Sequence, residues 1–378
     1  MESGASMSKI SFGFARIHAE PGEVRDFLPE LIGQLTKAGA QVYLEQGYGS
    51  GMGLSKTDYL AAAPGVKFDS PQEVYQQDVV VVLRYPGDEP LRWMRPGACL
   101  VSMLHYPTRP GRVAYLRSLG IEAISLDSLT DDQGRRLVEN LRAVAWNGLH
   151  VAFNVLREHY PVSVEEKERN PVKVTVMGVG AVGLLAVQAA VRYGDEDYWH
   201  KLADQGVTGV QVAAVEYDLT SQKAIMSRIL HYTDILVDAT QRPDPTTPVI
   251  PNAWIGQMRP HAVLLDLSVD PYLSEDGVVK SVKGIEGVPQ GNLDQFVFAP
   301  DDPVYASIPA HVDTRERRYA VSCYSWPGVF PKECMEVYGN QLNTILMAIL
   351  QVDGVQNIDP QGFYFHRAIA RAMLSRWG

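Results

Sequence analysis

Arg84 and His105 each close an apolar run. Arg84 follows the four valines Val79 to Val82 and Leu83, and His105 follows Leu100-Val101-Ser102-Met103-Leu104. A guanidinium holds an anion, and holds a carboxylate through two parallel hydrogen bonds. An imidazole exchanges protons near neutral pH, for instance with a substrate amine or carbinolamine. Both runs read as strands, so the two side chains would lie at neighbouring strand ends, where parallel sheets collect ligands. Each residue also has a plainer reading, as a solvated strand-end cation or a histidine hydrogen-bonded at a loop start. Arg25 follows Glu20-Pro21-Gly22-Glu23-Val24 and could clamp a substrate carboxylate from the start of a helix, although a lone arginine is more often a surface residue. Asp270 closes Val263-Leu264-Leu265-Asp266-Leu267-Ser268-Val269, where a carboxylate can orient an ammonium or a catalytic histidine. Asp266, inside that run, reads as a partner for backbone groups.

A second constellation binds rather than reacts. Lys173-Val174-Thr175-Val176-Met177 leads into Gly178-Val179-Gly180-Ala181-Val182-Gly183 and then a small-residue helical stretch. Gly178 permits a tight turn, Gly180 lets a pyrophosphate approach the backbone, and Gly183 lets the helix pack on the strand. The amides at the helix start, Ala181 and Val182 among them, face the phosphates. The run Val210 to Val215 ends in Glu216, a carboxylate for the adenosine ribose hydroxyls, which favours NAD over NADP. Arg192, Lys201 and Lys223 are nearby cations that could take a 2′-phosphate instead. Thr240 and Gln241, after the run ending in Asp238, could touch the nicotinamide ribose.

These groups need elements to carry them. Strand patterns occur over 10–17, 41–45, 78–83, 98–104 and 122–126, with a helical pattern over 23–38. Strands separated by helices imply a parallel, doubly wound sheet. The consecutive valines at 79–82 mark a strand buried on both faces. A long helix is expected over 135–160, ended by Pro161. A second α/β unit then opens at the glycine turn, with later strands over 235–239 and 263–267 and a closing helix over 333–351. The expected organisation is a substrate domain over 1–148, completed by 330–378, and an NAD-binding domain over 149–329. A cleft between these two Rossmann-like α/β domains would hold the cofactor.

With 378 residues the chain fits two domains rather than one small core. A net charge of −10 without a basic block argues against nucleic acid, and no apolar run approaches a membrane span. The opening residues 1–8 are small and polar, unlike a secretion signal, and Met7 reads as a second candidate start. Cys99, Cys323 and Cys334 lack metal-ligand spacing, so free thiols in a reducing cytoplasm are expected. The expected partner is a small amino-acid or oxo-acid substrate, and the chain could also associate with copies of itself.

The chain resembles the alanine dehydrogenase and pyridine nucleotide transhydrogenase α-subunit superfamily, which also holds lysine-forming saccharopine dehydrogenases. The likeness runs through Val24-Arg25, Lys37 to Val42, Gly47 to Gly51, Leu83-Arg84-Tyr85-Pro86, Leu104-His105, the glycine turn, 258–270 and 326–331. It implies two Rossmann-like domains and NAD-linked chemistry at an amino-acid Cα–N bond. It implies that Arg25 holds the substrate carboxylate, that His105 is the acid/base group, and that Asp270 lies near substrate and nicotinamide. Arg84 stands where the family usually has a lysine; an arginine can bind an anion but cannot relay a proton. Ser325-Trp326 stands where alanine dehydrogenases have an Asn-Met pair against the substrate. With 129–136 and 330–333, it looks closer to the saccharopine dehydrogenase branch and to a larger substrate. A catalytically altered NAD-binding protein and a transhydrogenase-type hydride-transfer domain are the alternatives.

Overall fold

The computed structural model describes residues 10–378, so the opening stretch 1–8 and the candidate start Met7 lie outside the described residues. The chain divides into two compact units. One runs to Asn140 and takes in Phe330–Gly378; the other is Leu141–Val329.

The first unit is built on a parallel sheet of β1 (Ser11–Phe14), β2 (Gln41–Glu45), β3 (Lys67–Asp69), β4 (Val79–Arg84), β5 (Cys99–Met103) and β6 (Glu122–Ser125). The order is β3-β2-β1-β4-β5-β6, so the winding reverses between β1 and β4. The valines of β4 are fully buried, as a central strand covered on both faces requires. Helix Pro331–Gln351 sends Leu342, Ile345, Leu346 and Ile349 into the same core, and Met373 bridges Ile124 of β6. Each such buried aliphatic side chain contributes roughly 1.5–3 kcal/mol.

The helix expected from residue 23 begins only at Pro29. Leu28 is extended (φ −70°, ψ 157°), because the proline ring clashes with a helical residue before it, while Pro29 itself suits a first turn. Arg25 therefore sits in an irregular segment after β1 and not on a helix.

The second unit carries β7 (Val172–Met177), β8 (Val210–Val215), β9 (Ile235–Asp238), β10 (Val263–Asp266), β13 (Val297–Phe298) and β14 (Tyr319–Ser322), in the order β13-β14-β10-β9-β7-β8. All pairs are parallel except β13 with β14. A separate hairpin pairs β11 (Leu273–Glu275) with β12 (Val278–Ser281). The helix expected over 135–160 is Leu141–His159, and the division between the units falls at its start rather than at 148. The preceding residues are drawn into a turn by Asp131, whose Oδ1 accepts the backbone N–H groups of Gln133 (2.9 Å) and Arg135 (2.8 Å). Among the described residues no helix is long and apolar enough to cross a membrane, and no cluster of three metal-ligating side chains occurs. Cys99, Cys323 and Cys334 are buried, and none of them forms a disulfide.

Candidate functional site

His105 lies just beyond β5 and takes a left-handed backbone conformation (φ 52°), uncommon outside glycine. Asp127, just beyond the adjacent strand β6, holds it there. Its Oδ1 accepts the N–H groups of Leu104 and His105, both at 3.0 Å, and the Ser125 hydroxyl at 2.9 Å. Its Oδ2 stands 3.5 Å from His105 Nδ1, an ion-pair distance rather than a short hydrogen bond. The Asp127 side chain is 6% exposed and the imidazole 42%. Burial alone would raise the Asp127 pKa; the His105 ring and N–H and the Ser125 hydroxyl outweigh it and hold the carboxyl well below the usual range. The result is an ionised, fixed carboxylate behind an accessible imidazole.

Arg84 ends β4, beside the point where the winding reverses. Its Nε donates to Glu20 Oε2 at 2.6 Å. Arg25, expected to hold a substrate carboxylate, is engaged within the chain. Its Nε donates to Glu23 Oε1 at 2.8 Å, its Nη2 meets Oε2 at 2.5 Å, and its Nη1 reaches Cys334 Sγ at 3.5 Å. The side chains of Arg25 and Glu23 are 2% and 0% exposed. Burial pushes Glu23 upward, but the Arg25 guanidinium outweighs it and keeps the carboxyl low. The fork expected to clamp a substrate carboxylate is thus closed on an internal one, two residues away.

In the second unit Gly178 has φ +82°, and a Cβ there would meet the Ala239 carbonyl oxygen at 2.7 Å. A Cβ on Gly183 would lie 1.9 Å from the Gly178 carbonyl oxygen, while Gly180 faces open space. Helix Ala181–Ala190 starts directly after it. Turn, open approach and helix N-terminus together fit a pyrophosphate. Glu216, following β8, accepts the Val179 N–H at 2.5 Å. A cavity of about 640 Å³ brings Gly178, Glu216, Thr240 and Gln241 together with Tyr217 and Arg242, a size suited to part of a dinucleotide. Thr240 donates its N–H (3.0 Å) and hydroxyl (2.7 Å) to Asp238 Oδ1. Asp270 Oδ2 is bound by Arg242 Nη2 at 2.7 Å, and the same guanidinium group donates to the Thr247 and Val282 carbonyls.

Ser325 and Trp326, expected against the substrate, are buried in the second unit. Trp326 is 1% exposed, donates its ring N–H to the Asp266 carbonyl at 2.8 Å and receives Asn147 Nδ2 on its own carbonyl at 3.0 Å. Ser325 is buried beside it, its carbonyl accepting the Gly328 N–H at 2.8 Å. A large aromatic at the start of the tight turn Trp326–Val329 fills the second unit's core. Sequence reasoning misses Asp127, Glu20, Glu23 and Arg242 as partners. Asp127 is findable, as the acid that ends the strand next to that of His105.

Comparison with known proteins agrees with this architecture. A family model described as "Alanine dehydrogenase/PNT, N-terminal domain" matches residues 20–145, and "Alanine dehydrogenase/PNT, C-terminal domain" matches residues 164–283. Alanine dehydrogenase of Bacillus subtilis (strain 168) is 24% identical over 68% of this chain and 69% of its own length. The first portion of the NAD(P) transhydrogenase alpha subunit of Rhodospirillum rubrum is 24% identical over 78% and 88%. A solved L-alanine dehydrogenase superimposes with a TM-score of 0.71 at 18% identity, covering 96% of this chain and 94% of that one. A transhydrogenase from Sinorhizobium meliloti gives 0.64 at 18% identity, over 92% and 96%. With both domain models matched in order, the chain belongs to the alanine dehydrogenase/PNT family.

Proposed function

We propose that the chain is an NAD-dependent oxidoreductase acting on the Cα–N bond of an amino acid or an N-carboxyalkyl amino acid. The observation that carries this reading is the exposed His105 imidazole backed by the buried, ionised Asp127. The first unit is then the substrate domain. The second binds NAD through its glycine turn, Glu216, Thr240 and Gln241. Buried cysteines outside any disulfide fit a reducing compartment such as the cytoplasm.

When bound, NAD supplies an acceptor for the hydride that leaves the substrate Cα. The remaining work belongs to the chain's side chains. Arg84 holds a substrate carboxylate in competition with Glu20. His105 takes a proton from the water that adds to the substrate imine and returns it to the departing amine. Asp127 keeps the imidazole oriented and stabilises its protonated form. Asp270, bound by Arg242, lies on the loop after β10 of the NAD-binding unit.

A spectrophotometric panel of amino acids and saccharopine-like opines, read as NADH formation, tests the proposal and separates the two substrate kinds. Arg84 favours one other reading, because an arginine in place of the family's lysine cannot relay a proton. Tight NADH binding with no absorbance change across the panel would support that reading, a catalytically altered NAD-binding protein or a transhydrogenase-type domain.

A further inference from the structure

Three ionisable side chains of the second unit are buried together without serving its apolar core. Asp238, Asp266 and Lys283 are 0%, 2% and 1% exposed. Asp238 ends β9 and Asp266 ends β10, directly opposite in register. Lys283 Nζ meets Asp266 Oδ2 at 2.5 Å, and the Ser322 hydroxyl of β14 donates to the same oxygen at 2.9 Å. Burying the Lys283–Asp266 pair is costly even with both partners in contact.

The remaining carboxylate oxygens all point at two loops. Asp238 Oδ1 accepts the Thr240 N–H and hydroxyl, and its Oδ2 accepts the Ser268 hydroxyl at 2.8 Å. Asp266 Oδ1 accepts the Val269 N–H at 2.8 Å. Val269 has φ +55°, a strained conformation for a β-branched residue. Such strain persists where the surroundings over-determine it, typically at ligand sites. The chain after Lys283 presses on the same group, since a Cβ on Gly284 would lie 2.0 Å from Asp238 Oδ2. In a doubly wound sheet a dinucleotide crosses the carboxyl ends of the strands. With its adenosine on the β8 side, beside Glu216, its nicotinamide half meets the loops after β9 and β10.

We propose that Asp238, Asp266 and Lys283 are positioning residues, which hold loops 239–241 and 268–270 in the shape that receives the nicotinamide half of the dinucleotide. The inference rests on the dinucleotide reading above and adds to it which buried groups set the nicotinamide subsite.

The test uses the full chain and two ligands: NADH, followed by fluorescence, and ADP-ribose, which lacks the nicotinamide, followed by calorimetry. Lys283→Met should weaken NADH binding about ten-fold, the worth of roughly one net hydrogen bond, and leave ADP-ribose affinity unchanged. Lys283→Arg should recover part of the loss. Asp238→Asn, which keeps an acceptor for Thr240, should shift NADH affinity in the same direction and decides the matter if Lys283→Met does not fold. Equal losses for both ligands, or unchanged NADH affinity in a folded variant, would overturn the positioning role while leaving the dinucleotide reading intact. A wild-type chain that binds neither ligand would overturn both.

Discussion

Asp127 and His105 face each other from the ends of adjacent strands, Oδ2 to Nδ1, with the carboxylate buried and the imidazole exposed. The same carboxylate anchors the backbone that carries the histidine, through its hydrogen bonds to Leu104 and His105. One acid therefore sets both the left-handed turn and the ring's orientation. Removing the ring and removing its orienting charge should thus have different consequences.

His105→Ala should lower kcat by about 10²–10⁴, the usual worth of a general acid/base group, with NADH affinity retained. Asp127→Asn keeps an acceptor for the backbone but loses the charge, so its smaller loss should appear in kcat more than in KM. Steady-state kinetics beside NADH titration decides this. Full turnover in His105→Ala would remove His105 from the reaction.

Arg25 and Glu23 predict a stability effect where the family resemblance implied a binding one. Arg25→Met leaves the buried Glu23 carboxylate with only the residue-25 backbone N–H and the Arg84 charge to stabilise it, which should cost about 3–5 kcal/mol. The double variant Arg25→Met/Glu23→Gln should regain some of that. Urea unfolding of the four species gives the coupling. An unchanged midpoint in Arg25→Met, with a raised KM, would instead restore the clamp.

Asp26 gives a pH dependence of definite sign. Burial pushes its carboxyl up to about 7, against the Gly49 N–H and the Arg16 guanidinium, which lower it; Glu45 and Glu23 add to the rise. The folded chain therefore holds this proton more tightly than the unfolded one, whose Asp titrates near 3.9. Stability from this group is fully present below the unfolded value and is lost as pH rises through the folded one. Asp26→Asn should flatten that part of the stability curve, with a gain on the order of 2–4 kcal/mol at pH 8 relative to pH 4. Thermal or urea unfolding from pH 4 to 8 reads it, and identical slopes for both proteins would refute it.

The sequence discloses what is constrained locally. Four valines in a row identify β4 because a strand covered on both faces tolerates little else. The glycine turn is legible because Gly178 and Gly183 each answer a steric demand, while Gly180 leaves the approach to the backbone open. What stays hidden depends on partners brought together by the fold. Lys283 is one of two lysines in the run Val278 to Gly284, with nothing to mark it, until the β9–β10 pairing sets Asp238 beside Asp266. Arg25 reads as an open helix-start cation unless Pro29's delay of that helix is weighed. Trp326 has the same composition signature in a core as in a pocket, and only its burial tells them apart.

Glu216 should set the choice between dinucleotides. Its carboxylate sits at the glycine turn through the Val179 N–H and lines the cavity with Tyr217. Two of the three cations that could have welcomed a 2′-phosphate are engaged elsewhere, Arg192 with Glu196 at 3.7 Å and Lys201 with Glu165 at 3.6 Å, while Lys223 opens the helix Lys223–Tyr232. Arg242 does line the cavity, but it is bound to Asp270 and two carbonyls. A 2′-phosphate would therefore meet an acceptor-only carboxylate, and like charges in close contact repel strongly. The wild-type chain should bind NADH at least about ten-fold more tightly than NADPH, a difference of roughly 1.4 kcal/mol. Glu216→Gln keeps an acceptor for Val179 while removing the charge, so it should narrow that ratio mainly by improving NADPH. Parallel fluorescence titrations measure it, and equal wild-type affinities for the two dinucleotides would show that Glu216 does not read the ribose.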